Sequence, residues 1–206
     1  MRFTTSALLL SLGLSAAGAQ TADSLSLAGR NSLMFGIGIA NSTTASTAGG
    51  QTSMRATGET GSFWYHHWLR PQVGLSISAG VLNFETSTHL DRANSNAIVP
   101  VLFGLHYSPR ALALTRSWRP FVAGAVGPYI HIVDEVPSGV AQAYTESVVG
   151  ARLSTGVNWF AARHFMMTLD GHYNAVGEFS RQDAVSSDPS GFGFSLGFGF
   201  SWGGRY

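Results

Sequence analysis

The stretch GFGFSLGFGFSWGGRY, residues 191–206, alternates large apolar residues with glycine and serine. A period of two residues is that of a β-strand, whose successive side chains point to opposite faces of a sheet. One face of this predicted strand is apolar, the other carries almost no side chains, and no charged residue precedes Arg205. A bare face of this kind does not resemble a solvated surface. The question is therefore which surroundings suit both faces.

Similar alternation recurs along the chain, between segments rich in polar residues, glycine and proline. The predicted strands are 32–40, 53–64, 73–82, 97–107, 121–132, 148–160 and 165–176, followed by the closing run. Together they make about eight strands, the number at which side chains just fill a closed barrel. The sequence predicts an all-β fold, a closed antiparallel up-and-down transmembrane β-barrel.

The beginning of the chain has the pattern of an export signal. Arg2 is followed by a short apolar run, and Ala17-Gly18-Ala19 fits a cleavage site between small residues. The run is too short to cross a bilayer as a helix. We expect a signal peptide over residues 1–19, a periplasmic segment over 20–31 and an outer-membrane barrel over 32–206.

The composition excludes several classes of protein. Cysteine is absent, which removes disulfides and thiolate metal sites. The formal net charge of +1 does not suit a nucleic-acid binder. Charged residues make up only 11% of the chain, against about 25% in typical soluble domains. Such a chain needs an apolar solvent or an unusual core.

The connections between the predicted strands alternate between long acidic loops and tight turns, an asymmetry that is typical of transmembrane barrels. The connection 108–119 breaks this rule by its length. At the turn end we predict a girdle of interfacial aromatic residues. Its tryptophans are Trp64, Trp68, Trp118, Trp159 and Trp202.

Three segments carry a resemblance to a known family. They are PVLFGLHY at 100–107, RPFVAGAVGPY at 119–129 and the closing strand. In this order they resemble the small outer-membrane β-barrel proteins of Gram-negative bacteria. The resemblance implies a C-terminal signal that the barrel-assembly machinery reads, formed here by Phe198, Phe200, Trp202 and Tyr206. It also answers the opening question, because lipid suits the apolar face while the bare face leaves room for larger side chains from neighbouring strands.

Charged residues on the inward parity predict a network in the lumen, formed by Arg55, Glu59, Arg152, Asp170 and His172. If the hairpin closes at residues 161–163, Arg152 lies opposite His172 and diagonal to Asp170. Buried charges need partners, so we interpret the network as a plug. A narrow polar path with a gate made by Arg152 and Asp170 is the alternative.

Catalytic and metal-binding patterns are weak. Ser87, His89 and Asp91 share one loop, but no spacing certifies a nucleophile, a base and an orienting group. His66 and His67 are adjacent on a strand and point to opposite faces, which does not suit a metal pair. We expect no catalysis, no cofactor and no metal site.

The sequence thus predicts an outer-membrane barrel with a plugged lumen and a structural or cell-surface role. We expect outer-membrane lipids as neighbours and an extracellular partner at the acidic loops. The alternatives are a narrow porin-like channel for small solutes, a lipid-modifying enzyme, and a soluble lipocalin-like barrel with the apolar faces inside.

Overall fold

A computed structural model describes residues 27–42, 47–48, 51–52, 57–84, 95–112, 117–135, 142–162, 164–177, 179 and 190–204 of the chain. The predicted signal peptide, the loop with Ser87, His89 and Asp91, and the residues Arg55 and Tyr206 lie outside these residues. The strands of the barrel are β1 (Arg30–Ser42), β2 (Thr57–Trp68), β3 (Val73–Phe84), β4 (Ser95–Tyr107), β5 (Trp118–Glu135), β6 (Gln142–Trp159), β7 (Phe165–Val176) and β8 (Gly191–Gly203).

The eight strands form one closed antiparallel sheet in which each strand pairs with its neighbours in sequence. The sheet closes where β8 pairs with β1, with Leu33 opposite Phe200 and Ile39 opposite Phe194. Closure leaves no unpaired edge along β1 and β8, which is what an apolar solvent requires of a sheet. The predicted fold class is confirmed.

The two ends of the barrel differ. The turn end holds the start of β1, the end of β8 and the connections 69–72, 108–117 and 160–164. A single-turn 3-10 helix, Arg110–Leu112, occupies part of the long connection 108–117. The loop end holds the connections 43–56, 85–94, 136–141 and 177–190, the first of which contains a two-residue ladder between Thr47–Ala48 and Gln51–Thr52. The positions of the interior groups are given relative to these two ends.

Large apolar side chains cover the outside of the barrel. On β8 every second residue is exposed, from Phe192 to Trp202, and the glycines and serines between them are buried. Ile37, Phe103 and Leu153 continue the exposed apolar surface on other strands. Alternating burial therefore follows the predicted parity on β8, and the apolar face points outward.

Candidate functional site

The interior of the barrel is filled by side chains that rest on glycines of neighbouring strands. The Trp64 ring of β2 lies over Gly36 of β1 and Gly197 of β8. A Cβ added at Gly197 would lie 2.8 Å from the Trp64 ring and 2.7 Å from Thr168 Cγ2, and a Cβ at Gly36 would overlap the Trp64 ring. His172 occupies the space above Gly193 in the same way. The bare face of β8 is thus the surface on which large interior side chains pack.

Asp170 of β7 is the centre of one polar group in the interior. Its Oδ1 lies 2.6 Å from His172 Nδ1 and accepts a hydrogen bond of 3.2 Å from Ser195 Oγ of β8. Asp170, His172 and Ser195 are all buried. Both Ser195 and His172 bond to the carboxylate, so the bonds do not run in the order serine, histidine, carboxylate that a catalytic triad uses.

Asn174 of β7 is the centre of a second polar group, nearer the loop end. Its Oδ1 accepts hydrogen bonds from Tyr129 Oη at 2.9 Å and from Arg152 Nε at 2.8 Å. Tyr129 is fully buried and Arg152 is 8% exposed. The amide oxygen thus ties β5 and β6 to β7 across the interior.

A third group lies nearer the turn end and is mostly aromatic. The rings of His66 and His106 are 4.8 Å apart, and His106 stacks on Phe121 at 4.3 Å. Trp68 meets His106 edge to face at 5.0 Å. Asn158 Nδ2 lies 3.1 Å from His106 Nε2, which anchors that ring to β6.

Between these groups lies a cavity of about 40 Å³. Its lining includes His66, His106, Arg152, Thr168 and Asp170. A water molecule needs roughly 10–15 Å³ of such space, so the cavity has room for a few waters and no larger solute. This part of the interior is therefore polar and leaves little free space.

Apolar clusters close both ends of this polar interior. At the turn end, Leu27, Met34, Trp68, Phe160 and Met166 pack together, with Trp64 against them. At the loop end, the cluster consists of Ala40, Leu82, Ile98, Leu102, Tyr129 and Phe179. These two groups are named here the turn-end cluster and the loop-end cluster.

The structure places three of the predicted lumen residues inside the barrel: Arg152, Asp170 and His172. Their predicted pairing is wrong, because Arg152 lies opposite Asn174, and Ser154 lies opposite His172. The connection between β6 and β7 spans 160–164, longer than the predicted turn 161–163, which shifts the register. The carboxylate of Asp170 consequently pairs with His172. Glu59 lies on β2, but its side chain is outside the described part of the structure.

The predicted girdle needs a correction on β2. Trp68 is fully buried and Trp64 packs on the turn-end cluster, so both face the interior. The prediction took the opposite parity for this strand, and an error of one residue exchanges its two faces. The interior face of β2 carries Thr60, Trp64, His66 and Trp68, all even-numbered.

The residues at the outer surface of the turn end are partly those expected. Trp118 and Trp202 are 42% and 43% exposed, and Trp118 stacks on Trp159 at 5.5 Å. Phe198 and Phe200 of the predicted assembly signal also face outward. Sequence reasoning missed Tyr65, which bonds to Asn31 Oδ1 at 2.7 Å, as does His67 at 2.8 Å. Their alternation with Trp64 and Trp68 contained the signal, since Tyr and His carry the polar tip that an interface favours.

Among the described residues, no group of three or more His, Asp or Glu side chains is arranged to hold a metal ion. No helix in the described part of the chain has both the length and the apolar character that a membrane crossing needs.

A scan against protein-family models finds no match to this sequence, and a search of curated proteins finds none either. Solved structures do match. Neisserial surface protein A aligns with a TM-score of 0.55 at 10% identity, over 84% of this chain and 96% of that one. The outer membrane protein OprG from Pseudomonas aeruginosa gives 0.55 at 13% identity, over 85% and 96%.

The attachment invasion locus protein Ail of Yersinia pestis gives a TM-score of 0.53 at 14% identity, over 85% of this chain and 99% of that one. This chain has the fold of the small eight-stranded outer-membrane β-barrels. At these identities the likeness concerns the fold alone. The outward apolar face of β8 and the filled interior described above are features of this chain itself.

Proposed function

We propose that this protein is an integral outer-membrane β-barrel with a plugged lumen and a structural or cell-surface interaction role. The observation that carries the proposal is the contrast between the two faces of the sheet. The outer face exposes large apolar side chains, and the inner face holds paired polar groups between two apolar clusters. An outer-membrane location agrees with the fold of the barrels that match.

The plugged lumen follows from how the interior is filled. Asp170 and Asn174 each accept hydrogen bonds from two neighbours, and the remaining cavity holds about 40 Å³. A path for solutes needs continuous water, and a cavity of this size supports a plug over such a path. A role at the surface or in the envelope therefore fits the geometry better than transport.

The test of location and fold uses the whole protein expressed in a Gram-negative host. Membranes are fractionated, and the protein is run on a detergent gel with and without boiling. We expect it in the outer-membrane fraction, with a mobility that changes on heating, because folded barrels resist the detergent until heated. Unshifted protein in the soluble periplasmic fraction would overturn the proposed outer-membrane location.

A narrow channel is the second candidate, and the polar middle of the lumen favours it. Purified barrels in planar bilayers separate the two: we expect no steady current from the parent and a higher conductance for Asp170→Ala, which removes the acceptor of His172 and Ser195. An open parent would overturn the plug in favour of the channel.

Further proposals concern the export, the assembly and the partners of this barrel. We propose a cleaved signal peptide, recognition of the last strand by the assembly machinery, contact with outer-membrane lipids, an extracellular partner at the acidic loops, and no catalysis. Analysis of lipid A and phospholipids from cells with and without the protein checks the last point. A modified lipid that depends on the protein would make it an enzyme.

A further inference from the structure

The apolar clusters at the two ends of the lumen are built from different parts of the chain. At the turn end, Trp68 and Met166 are fully buried and belong to strands, and Gly29 N donates a 2.7 Å hydrogen bond to Trp68 O, which holds the incoming chain there. Phe160 N donates in turn to Ser117 O at 2.8 Å. The turn-end cluster is thus formed by residues of three strands and of two segments that hydrogen bonds hold in place.

The loop end depends on a residue of a different kind. Within the loop-end cluster, Phe179 alone lies outside the strands, two residues after the last residue described at the end of β7, Gly177. Its side chain is 4% exposed, and its ring lies 4.9 Å from that of His131 on β5. The strand residues of the same cluster include Ala40, which is too small to fill the mouth itself.

Gly177 and Ser190, the described residues that flank the segment with Phe179, are hydrogen-bonded to the barrel. Gly177 N donates a 3.2 Å hydrogen bond to Val149 O, and Ser190 Oγ bonds to both the N–H and the carbonyl of Val176. Gly177, two residues before Phe179, is thus anchored to β6.

Polar groups lie directly below this apolar layer. Tyr129 belongs to the loop-end cluster and also donates to Asn174 in the polar interior. Ala125 packs against the same cluster and lines the cavity. Among the described residues, the loop-end cluster therefore adjoins the polar interior directly.

We propose that Phe179 is a stopper: its side chain keeps water out of the loop-end mouth, and its withdrawal is the step by which the lumen becomes accessible from the loop end. The inference rests on the plugged lumen of the proposed function. It assigns the closure at the loop end to one residue outside the strands, whereas the turn-end cluster combines residues of three strands with Leu27 and Phe160.

The experiment uses the absence of cysteine from the natural chain. Ala40→Cys places a small reporter thiol in the loop-end cluster, where the native side chain is 3% exposed. Folded protein is treated with a charged, membrane-impermeant thiol reagent, and the labelling rate is followed by mass. Phe179→Ala is expected to raise that rate at least about tenfold, because a thiol must meet water to react as the thiolate.

Phe160→Ala is the matched control, since it removes the same side chain at nearly equal burial, 6% against 4%, from the other end. We expect it to leave the labelling rate of the reporter unchanged. Equal acceleration by both variants would indicate general loosening and would overturn the stopper, as would a reporter that is already fast in the presence of Phe179. An unchanged rate in Phe179→Ala would also overturn it.

Folding is checked in each variant by the heat-dependent gel shift. If the parent shows no shift, the proposed barrel is wrong. If the protein shifts, its labelling rates test only the role of Phe179. If Phe179→Ala does not fold, Phe179→Leu serves instead, with an expected rate between those of the parent and full exposure. A rate equal to the parent's would then overturn the proposal.

Discussion

At the scale of single residues, the packing of the interior depends on large side chains that each lie over a glycine. Trp64 fits because Gly36 and Gly197 lie on the two strands that follow across the sheet, β1 and β8. A closed barrel of eight strands has little interior space, so each large ring needs such a partner. The glycines of this face are therefore packing residues.

Gly36→Ala should destabilise the barrel by about 1–3 kcal/mol, because the added methyl group overlaps the Trp64 ring in a packed interior. The measurement is the urea midpoint of unfolding in lipid vesicles. Gly61→Ala is the control on the adjacent strand, since an added Cβ there meets nothing within 4 Å. A cost at Gly61 that matches the cost at Gly36 would show that the backbone, and not Trp64, sets the effect.

Asp170→Ala should cost about 1–3 kcal/mol, because His172 Nδ1 and Ser195 Oγ both lose a buried acceptor. Ser195→Ala removes only the longer of the two hydrogen bonds and should cost about 1 kcal/mol or less. Unfolding midpoints of the two variants, compared in the same vesicles, check this order. The reverse order would mean that the carboxylate does not hold this group together.

At the scale of elements, sequence predicted β7 and β8 well and β2 poorly. On β8 every large residue has one parity and every small residue the other, so only one assignment of faces exists. On β2 the run Phe63-Trp64-Tyr65 places aromatic rings on both faces. Deciding which face points inward requires knowing which ring has a glycine partner on the neighbouring strands. The glycine partners become known only from the pairing of β2 with other strands, and not from the sequence of β2 alone.

The register of β6 against β7 could not be predicted from the sequence for a related reason. The sequence allowed a turn at 161–163, but Phe160 leaves the ladder to join the turn-end cluster, and β7 begins only at Phe165. With this longer connection, Arg152 lies opposite Asn174 and not opposite His172. Phe179 was missed because no periodic pattern marks a loop residue for burial.

The corrected faces of β2 predict the response of tryptophan fluorescence to brominated lipids, which quench rings that touch lipid. Trp202→Phe should remove about a third of the quenchable emission if the three outward rings, Trp118, Trp159 and Trp202, contribute equally. Trp68→Phe should leave the quenchable part unchanged, because Trp68 is buried inside. A loss of quenching in Trp68→Phe would return this ring to the girdle.

The outward face of β8 predicts a dependence on depth. Leu196 lies near the middle of the strand and is 46% exposed, whereas Trp202 lies at the turn end. Leu196→Arg should cost about 2–4 kcal/mol and Trp202→Arg about 0–1 kcal/mol, since a charge is most costly at the bilayer midplane. Unfolding in vesicles measures both, and equal costs would argue against a membrane around this face.

At the scale of the whole molecule, closure between the first and last strands is the property on which the fold depends. Leu33→Cys with Phe200→Cys joins two residues that lie directly opposite each other, at a Cα separation of about 4.5–5.5 Å that a disulfide can span. We expect efficient oxidation and an altered mobility of the boiled, unreduced chain.

The control places the second cysteine four residues away, as Leu33→Cys with Leu196→Cys. Leu196 pairs with Ile37 in the observed register, so these two thiols are out of reach of each other. A crosslink in the control and none in the first pair would contradict both the register and the closure.

The strands β5 and β6 are 18 residues long, and β6 reaches beyond its neighbour β7. The last pair between β6 and β7 is Gly150 with Val176, so residues 142–149 continue past it, about 25 Å along the strand. Hydrogen bonds to β5 stiffen this projection up to the pair of Glu135 with Gln142. A short epitope inserted between residues 135 and 142 would be carried well clear of the lipid headgroups, which makes the barrel a natural scaffold for display on bacterial cells.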